Sequence, residues 1–202
     1  MIVDLRDYTT VPDARDPLIE QCERLFFPEQ ERLGARFLGV FRDADDPQRY
    51  VFLRAMPDLP TRQRILTEFY TDGEMWRAHR DQVNGWLVDS DNVLLVRPLT
   101  EVAPPATGAS IVAMLAQVDR APLAPERADA HRQAVDAAIR EAGGRSLVTF
   151  ATDPAENNYP RHPLRTGEHG LVWFATFAER QPLTLPAITT RWLRPTPRSR
   201  MR

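Results

Sequence analysis

Residues 92–99, Asn-Val-Leu-Leu-Val-Arg-Pro-Leu, set the reading of the whole chain. Four successive apolar residues, Val93 to Val96, suit a strand buried on both faces rather than one alternating between core and solvent. The run closes with Leu95-Val96-Arg97-Pro98, and Trp192-Leu193-Arg194-Pro195 repeats that close near the C-terminus. A second similarity supports the first. Ile2 to Gly34 covers 32 positions from a strand start to a glycine that ends a helix, and Ser110 to Gly143 covers 33. A pattern that recurs at this spacing points to internal duplication.

Outward from that stretch, the first half reads strand, helix, strand, strand, helix, strand. Ile2–Thr9 alternates, with Val3 and Leu5 on one face and Asp4, Arg6 and Tyr8 on the other. Asp13 or Asp16 is placed to cap a helix running to about Leu33, whose apolar stripe is Leu18, Cys22, Leu25 and Phe26. Pro28 should kink or restart it and Gly34 should end it. Arg36–Phe41 and Tyr50–Ala55 flank a polar turn and form a hairpin. Pro60 to Leu87 is helical with a break at Asp72-Gly73.

Residues 102–109 are rich in proline and small residues and read as a linker between a first unit, 1–101, and a second, 110–202. The second unit repeats the order with strands at Ser110–Val118, Ser146–Ala151, Leu171–Phe177 and Ile188–Leu193, and a helix at Pro125–Ala142. Two differences stand out. The loop from Asp153 to His169 is long, and long ordered loops tend to be functional. Only Ala178–Thr189, interrupted by Pro182 and Pro186, separates the last two strands, which leaves the second helix of that repeat shortened or missing. The expected class is α+β, with tandem ferredoxin-like βαββαβ repeats forming an α/β barrel. One sheet face of the second repeat then needs another cover, for which a second copy of the chain is a candidate.

Composition excludes more than it selects. The net charge of −2 gives no global field for nucleic acid or an anionic membrane. All 26 basic residues are arginine, so lysine Schiff-base chemistry is excluded. The lone Cys22 excludes an intrachain disulfide and any multi-cysteine metal centre. The longest apolar run, Ile111–Ala116, is far too short to span a membrane, and the opening residues do not read as a signal peptide, so a cytoplasmic location is expected.

Several short motifs carry a family resemblance. Leu5-Arg-Asp-Tyr8, Arg32-Leu-Gly-Ala-Arg-Phe-Leu-Gly39, Phe69-Tyr70 with Trp76-Arg-Ala-His-Arg80 and Asn84, and Asp89-Ser-Asp-Asn-Val-Leu-Leu95 resemble the NIPSNAP family. Leu193-Arg-Pro-Thr-Pro-Arg-Ser199 does likewise, and Asn158-Tyr-Pro-Arg161, Gly167-Glu168 and Val172-Trp-Phe174 resemble its bacterial two-domain members. The resemblance covers most of the chain and departs at Ala178–Thr189, where the family pattern has a longer helix. It implies a dimeric α/β barrel, which the two halves could close within one chain or between two chains, in a superfamily that includes cofactor-free monooxygenases, isomerases and haem enzymes. Fold does not fix chemistry.

Candidate site residues follow. If Val3 and Leu5 pack under helices, Asp4, Arg6 and Tyr8 point into the barrel, where Arg6 and Tyr8 would contact a ligand unless Asp4 pairs with Arg6. Trp76, His79, Arg80, Val83 and Leu87 share a helix side; Trp76 is a binding candidate and His79 a weak catalytic one, with no evident partner. The loop Asn157–Arg165 offers Tyr159 and Arg161 to an anionic or aromatic ligand, or packs against the other half or a second subunit. Trp173 is a further inward candidate. No metal-ligand spacing, glycine-rich phosphate loop or nucleophile elbow occurs, so no cofactor is expected. The C-terminal arginines, Arg191 to Arg202, read as a solvated tail, and Cys22 as a small buried hydrophobe.

Two functions are consistent with these residues. One is a barrel that binds a small apolar or aromatic molecule, with cofactor-independent oxygenase or isomerase activity. The other is a non-catalytic interaction or scaffold protein.

Overall fold

Alternation in Ile2–Thr10 produces the first strand, β1, with every residue through Arg6 buried on one side or the other. The computed structural model describes residues 1–103, 111–122, 124–183 and 185–202. Most of the expected linker, 104–109, lies outside the described residues.

After β1, α1 (Arg15–Gln21) passes through a π-helical turn, Cys22–Phe26, into α2 (Phe27–Arg32). Neither expected aspartate caps this helix. Asp13 takes a positive φ of 63° before it, and Asp16 lies in its first turn and pairs with Arg42 at 2.8 Å. Pro28 sits at the start of α2, where its missing N–H is tolerated. The hairpin follows as β2 (Arg36–Asp43) and β3 (Arg49–Met56), its turn held by Asp43, whose Oδ1 accepts the amides of Asp45 and Asp46.

Next come α3 (Leu59–Leu66), capped by Asp58, a second π-helical turn, Thr67–Asp72, and α4 (Glu74–Trp86). Gly73 marks the expected break, because a Cβ there would lie 2.2 Å from the Phe69 carbonyl oxygen. A short strand the sequence did not suggest, β4 (Leu87–Asp89), pairs with the end of β1. β5 (Val93–Pro98) is the both-faces-buried strand that its composition requires. The second half supplies β6 (Ile111–Asp119), α5 (Pro125–Glu141), β7 (Arg145–Thr152), β8 (His169–Phe177) and β9 (Thr189–Pro195).

Eight strands close into an antiparallel barrel in the order β3-β2-β9-β6-β8-β7-β5-β1, with β1 returning to β3. Within it the first half runs β5-β1-β3-β2 and the second β9-β6-β8-β7. The halves meet at two seams, β2 with β9 and β5 with β7. Arg191 ties the first seam by bonding both Asp7 at 2.6 Å and Asp43 at 2.9 Å.

The barrel interior is a packed core, not a chamber. Val3, Leu5, Leu53, Leu94 and Val96 from the first half meet Val112, Met114, Phe150, Val172, Phe174 and Leu193 from the second. This reverses the expected orientation of β1. Alternation shows that Asp4, Arg6 and Tyr8 share a face, but the apolar face is the one the barrel consumes, so the polar face lies outside, under the helices.

Two further expectations change. Among the described residues no helix follows β8, yet the outer face there is covered by the chain itself, since Leu183, Leu185 and Ile188 pack on it beside α5. The C-terminus is also docked rather than loose. Thr196 and Arg200 donate backbone N–H groups to Val40 and Leu38, and Met201 is fully buried in the barrel core.

Candidate functional site

The outer face of β1 and β3 carries a buried cationic cluster. Asp4 accepts from Arg54 at 2.6 Å and from Arg62 at 2.8 Å, and Arg6 approaches it at 3.7 Å. Asp4 and these three arginines are buried, so one negative charge faces three positive ones. Burial raises the Asp4 carboxyl, but the guanidiniums of Arg54, Arg62 and Arg6 outweigh it and hold the group far below the usual carboxylate range. The expected Asp4–Arg6 pair is therefore the longest of three contacts, and Arg6 is left partly unsatisfied. Its Nε donates to the Tyr8 hydroxyl at 2.5 Å and its Nη2 to the Ser90 carbonyl at 3.4 Å, while Nη1 has no hydrogen-bond partner.

Above this cluster lies a cavity of about 470 Å³ between the sheet and the helices, within the usual range for small-molecule sites. Its apolar wall comes from Leu18, Phe26 and Phe27 of the first helix, Phe52 of β3, and Trp76 and Val83 of α4. Arg6 and Tyr8 belong to its sheet-side wall, and Arg80 and Arg161 add further cations. Both helical segments that form it contain a π turn, a distortion that recurs at functional sites because it re-aims side chains.

The long loop of the second half closes the cavity, contributing Tyr159, Arg161 and His162. It is bolted to the first half. Arg62 donates to Asn158 at 2.7 Å, Asn158 donates to the Leu59 carbonyl at 2.6 Å, and Tyr159 shares a 3.0 Å hydrogen bond with Thr71. The loop thus packs against the other half, as one of its two expected roles has it, and also lines the cavity.

Five of the seven candidates, Arg6, Tyr8, Trp76, Tyr159 and Arg161, line one cavity. The other two do not. Trp173 is fully buried beneath α5 in the second half, its ring 5.7 Å from His131. His79 turns its Nδ1 to the Met75 carbonyl at 2.9 Å and its ring edge to Phe26, outside the cavity lining. Tyr70 and His162, which are not among those seven candidates, meet edge-on at 4.0 Å in the wall. The concentration of polar and aromatic residues in the 157–165 loop is the sequence signal for His162, and the Phe69-Tyr70 motif of the family resemblance is the signal for Tyr70.

Ionisation states follow from burial. Burial pushes the Tyr8 phenol up to about 12 against the pull of Arg6, so it stays protonated and can donate. Burial likewise pushes the Cys22 thiol up to about 12, which leaves no thiolate nucleophile at this wall. Among the described residues no three His, Cys or carboxylate groups are placed to hold a metal ion, and no helix is long and apolar enough to cross a membrane.

No protein-family model and no curated protein matches the sequence. Solved structures do. A candidate monooxygenase from Lactobacillus acidophilus NCFM superposes with a TM-score of 0.57 at 12% identity, over 96% of this chain and 93% of that one. A candidate monooxygenase from Fusobacterium nucleatum gives 0.57 at 9% identity, over 96% and 91%. An uncharacterized NIPSNAP domain protein from Burkholderia xenovorans, at 18% identity and a TM-score of 0.43, matches 50% of this chain and 96% of its own. The chain has the fold of the dimeric α/β-barrel proteins, with all eight barrel strands supplied by one polypeptide.

Proposed function

We propose that this protein binds a small aromatic or apolar molecule bearing an anionic oxygen, in the cavity between the outer sheet face and the helices of the first half. The barrel itself is filled, so the binding site moves from the interior to its wall. The observation that carries the reading is Arg6, a buried guanidinium on the cavity wall whose Nη1 makes no hydrogen bond and lies 3.7 Å from a carboxylate already bonded at shorter range by Arg54 and Arg62. An uncompensated buried donor costs free energy, and an oxyanion seated there offsets it. Arg6 and the Tyr8 hydroxyl supply two donors to one oxygen, while Phe26, Phe27, Phe52 and Trp76 hold an apolar body.

The reaction class proposed for that ligand is a cofactor-independent oxygenation or isomerisation. Two aimed donors stabilise the charge that develops on an enol or phenol oxygen in either reaction. A cytoplasmic location and two ferredoxin-like repeats remain part of this reading; the equal strand order of the halves supports the second.

The test is calorimetric binding of a series of aryl carboxylates, phenols and uncharged arenes to wild type and Arg6→Met. Wild type should prefer the acids, and Arg6→Met should lose at least about tenfold in their affinity, since a hydrogen bond to a charged group contributes about 1.5–3 kcal/mol. Equal affinity of the two proteins for the acids sinks the proposal.

A further inference from the structure

We infer that His162 is the proton acceptor of this cavity, so that the site takes a phenol or enol in its neutral form and holds it as the oxyanion against Arg6. The inference rests on the ligand reading above and deepens it by naming the ligand's ionisable group.

The geometry comes first. His162 reaches the cavity from the second half, its ring set edge-on at 4.0 Å from the Tyr70 ring and 5.3 Å from the Tyr159 ring. Its backbone is pinned, with the amide donating to the Tyr159 carbonyl at 3.0 Å and the carbonyl accepting from Asn157 at 2.7 Å. Its Nδ1 has no hydrogen-bond partner. A buried imidazole is ordinarily held by a partner that fixes its tautomer. Here the ring is held only by aromatic faces, so its nitrogen is left for something that enters the cavity.

The charged surroundings set its resting state. From β1 it faces Arg6 and Asp4, from β3 Arg54, and from α3 Arg62, while Tyr70 and Tyr159 cover the ring. Burial first, then the Arg6 and Arg54 guanidiniums, hold it well below its ordinary value despite Asp4. The empty site therefore carries a neutral imidazole. A new negative charge beside the ring favours its protonated form, because it offsets the guanidinium part of that balance and pairs the cation that burial alone penalises.

A carboxylate arrives already ionised and needs no acceptor. A phenol or enol arrives neutral at pH 7, which suits entry along the apolar wall. On binding, its O–H bond breaks, an N–H bond forms on a ring nitrogen of His162, and the oxygen's charge rests on Arg6 and the Tyr8 hydroxyl. Charge and atoms balance, and the proton stays in the protein.

The probe is 4-nitrophenol, whose phenolate absorbs in the visible, added to the full chain at a pH one unit below the phenol's own pKa. Binding is followed by absorbance and by calorimetry in two buffers of different ionisation heat. The expected result is a phenolate spectrum in wild type with no proton released to buffer. In His162→Gln, checked for folding by circular dichroism, the phenolate should bind at least tenfold more weakly and release about one proton per ligand. Release of a full proton by wild type, or a bound neutral phenol, overturns the role of His162 while leaving the anion pocket standing. Absence of binding by both 4-nitrophenol and 4-nitrobenzoate overturns the pocket and this inference together.

Discussion

Asp4 and Arg62, 58 positions apart, meet at 2.8 Å with neither side chain reaching solvent. Arg62 continues to Asn158, so a single guanidinium connects the first strand to the loop that closes the cavity from the other half. The charge cluster and the lid are one structure, and the lid cannot be repositioned without disturbing the core charge.

Asp4→Asn tests that linkage. It leaves Arg6, Arg54 and Arg62 buried with no carboxylate among them. Removing one partner from a buried ion pair costs about 3–5 kcal/mol. Urea unfolding should show a loss of that size, and protease nicking between Asn157 and Arg165 should appear at denaturant concentrations where wild type is intact. A loss below about 1 kcal/mol, the range of exposed pairs, would show that the cluster is not the support described.

Part of this was legible in the sequence. Strand and helix positions follow from periodicity, and the repeated Arg-Pro close falls at the ends of β5 and β9. Arg6 and Tyr8 are visible as polar residues sharing a strand face. Which face is inside is not visible, because period two fixes sides relative to each other and not to the barrel. Trp173 was misplaced for the same reason, since large apolar residues suit either the interior or the helix-covered wall. Arg54 sits alone among apolar neighbours and Arg62 in the polar helical stretch Thr61-Arg62-Gln63-Arg64, so neither stands out until the fold brings both to Asp4. The tail was misread because its arginines suggest solvent, whereas Met201 at its end fills the barrel.

Tyr8→Phe should separate the donor from the ring. The Tyr8 hydroxyl accepts from Arg6 Nε, so its loss leaves another buried guanidinium donor unpartnered, at a cost of about 1–3 kcal/mol. Aryl-acid affinity should fall by roughly fivefold to tenfold, the equivalent of about one hydrogen bond, while uncharged arenes bind unchanged. An equal fall for both ligand types would assign Tyr8 to shape alone.

Trp173→Ala should do the opposite. The ring is fully buried beneath α5 and away from the cavity, so truncation costs about 3–5 kcal/mol of stability. Ligand affinity, measured where the variant is still folded, should match wild type. A selective loss of binding would place Trp173 in the site after all.

Met201→Ala should show that the C-terminus is structural. The side chain lies in the core with Leu38 and Phe41, and its Sδ lies 3.1 Å from where a Cβ at Gly39 would stand. Truncating a buried methionine costs about 2–5 kcal/mol. Thermal unfolding of this variant should be lowered clearly, whereas Arg202→Ala, at an exposed position, should be indistinguishable from wild type.

The pH dependence of stability should fall in two separable steps, and each has a definite sign. His162 is held neutral in the folded chain well below its ordinary value, while the unfolded chain takes up that proton at about pH 6.5. The unfolded state then binds more protons, so stability declines as pH falls through about 6.5 and continues to decline until the folded value is reached. Asp4 is also depressed in the folded state, and its contribution is present above about pH 3.9 and lost as pH falls below that. Asp16, Asp43 and Glu29 are lowered too, so Asp4→Asn should shrink the acid step without abolishing it. His162→Phe should flatten the profile between about pH 7 and 5 and leave the acid step intact. Urea midpoints taken at half-unit intervals decide the matter, because matching slopes for wild type and His162→Phe in the upper window would mean that the imidazole is not held neutral in the folded chain. A bound phenolate should reverse that upper slope in wild type alone, since it favours the protonated ring that the empty cavity disfavours.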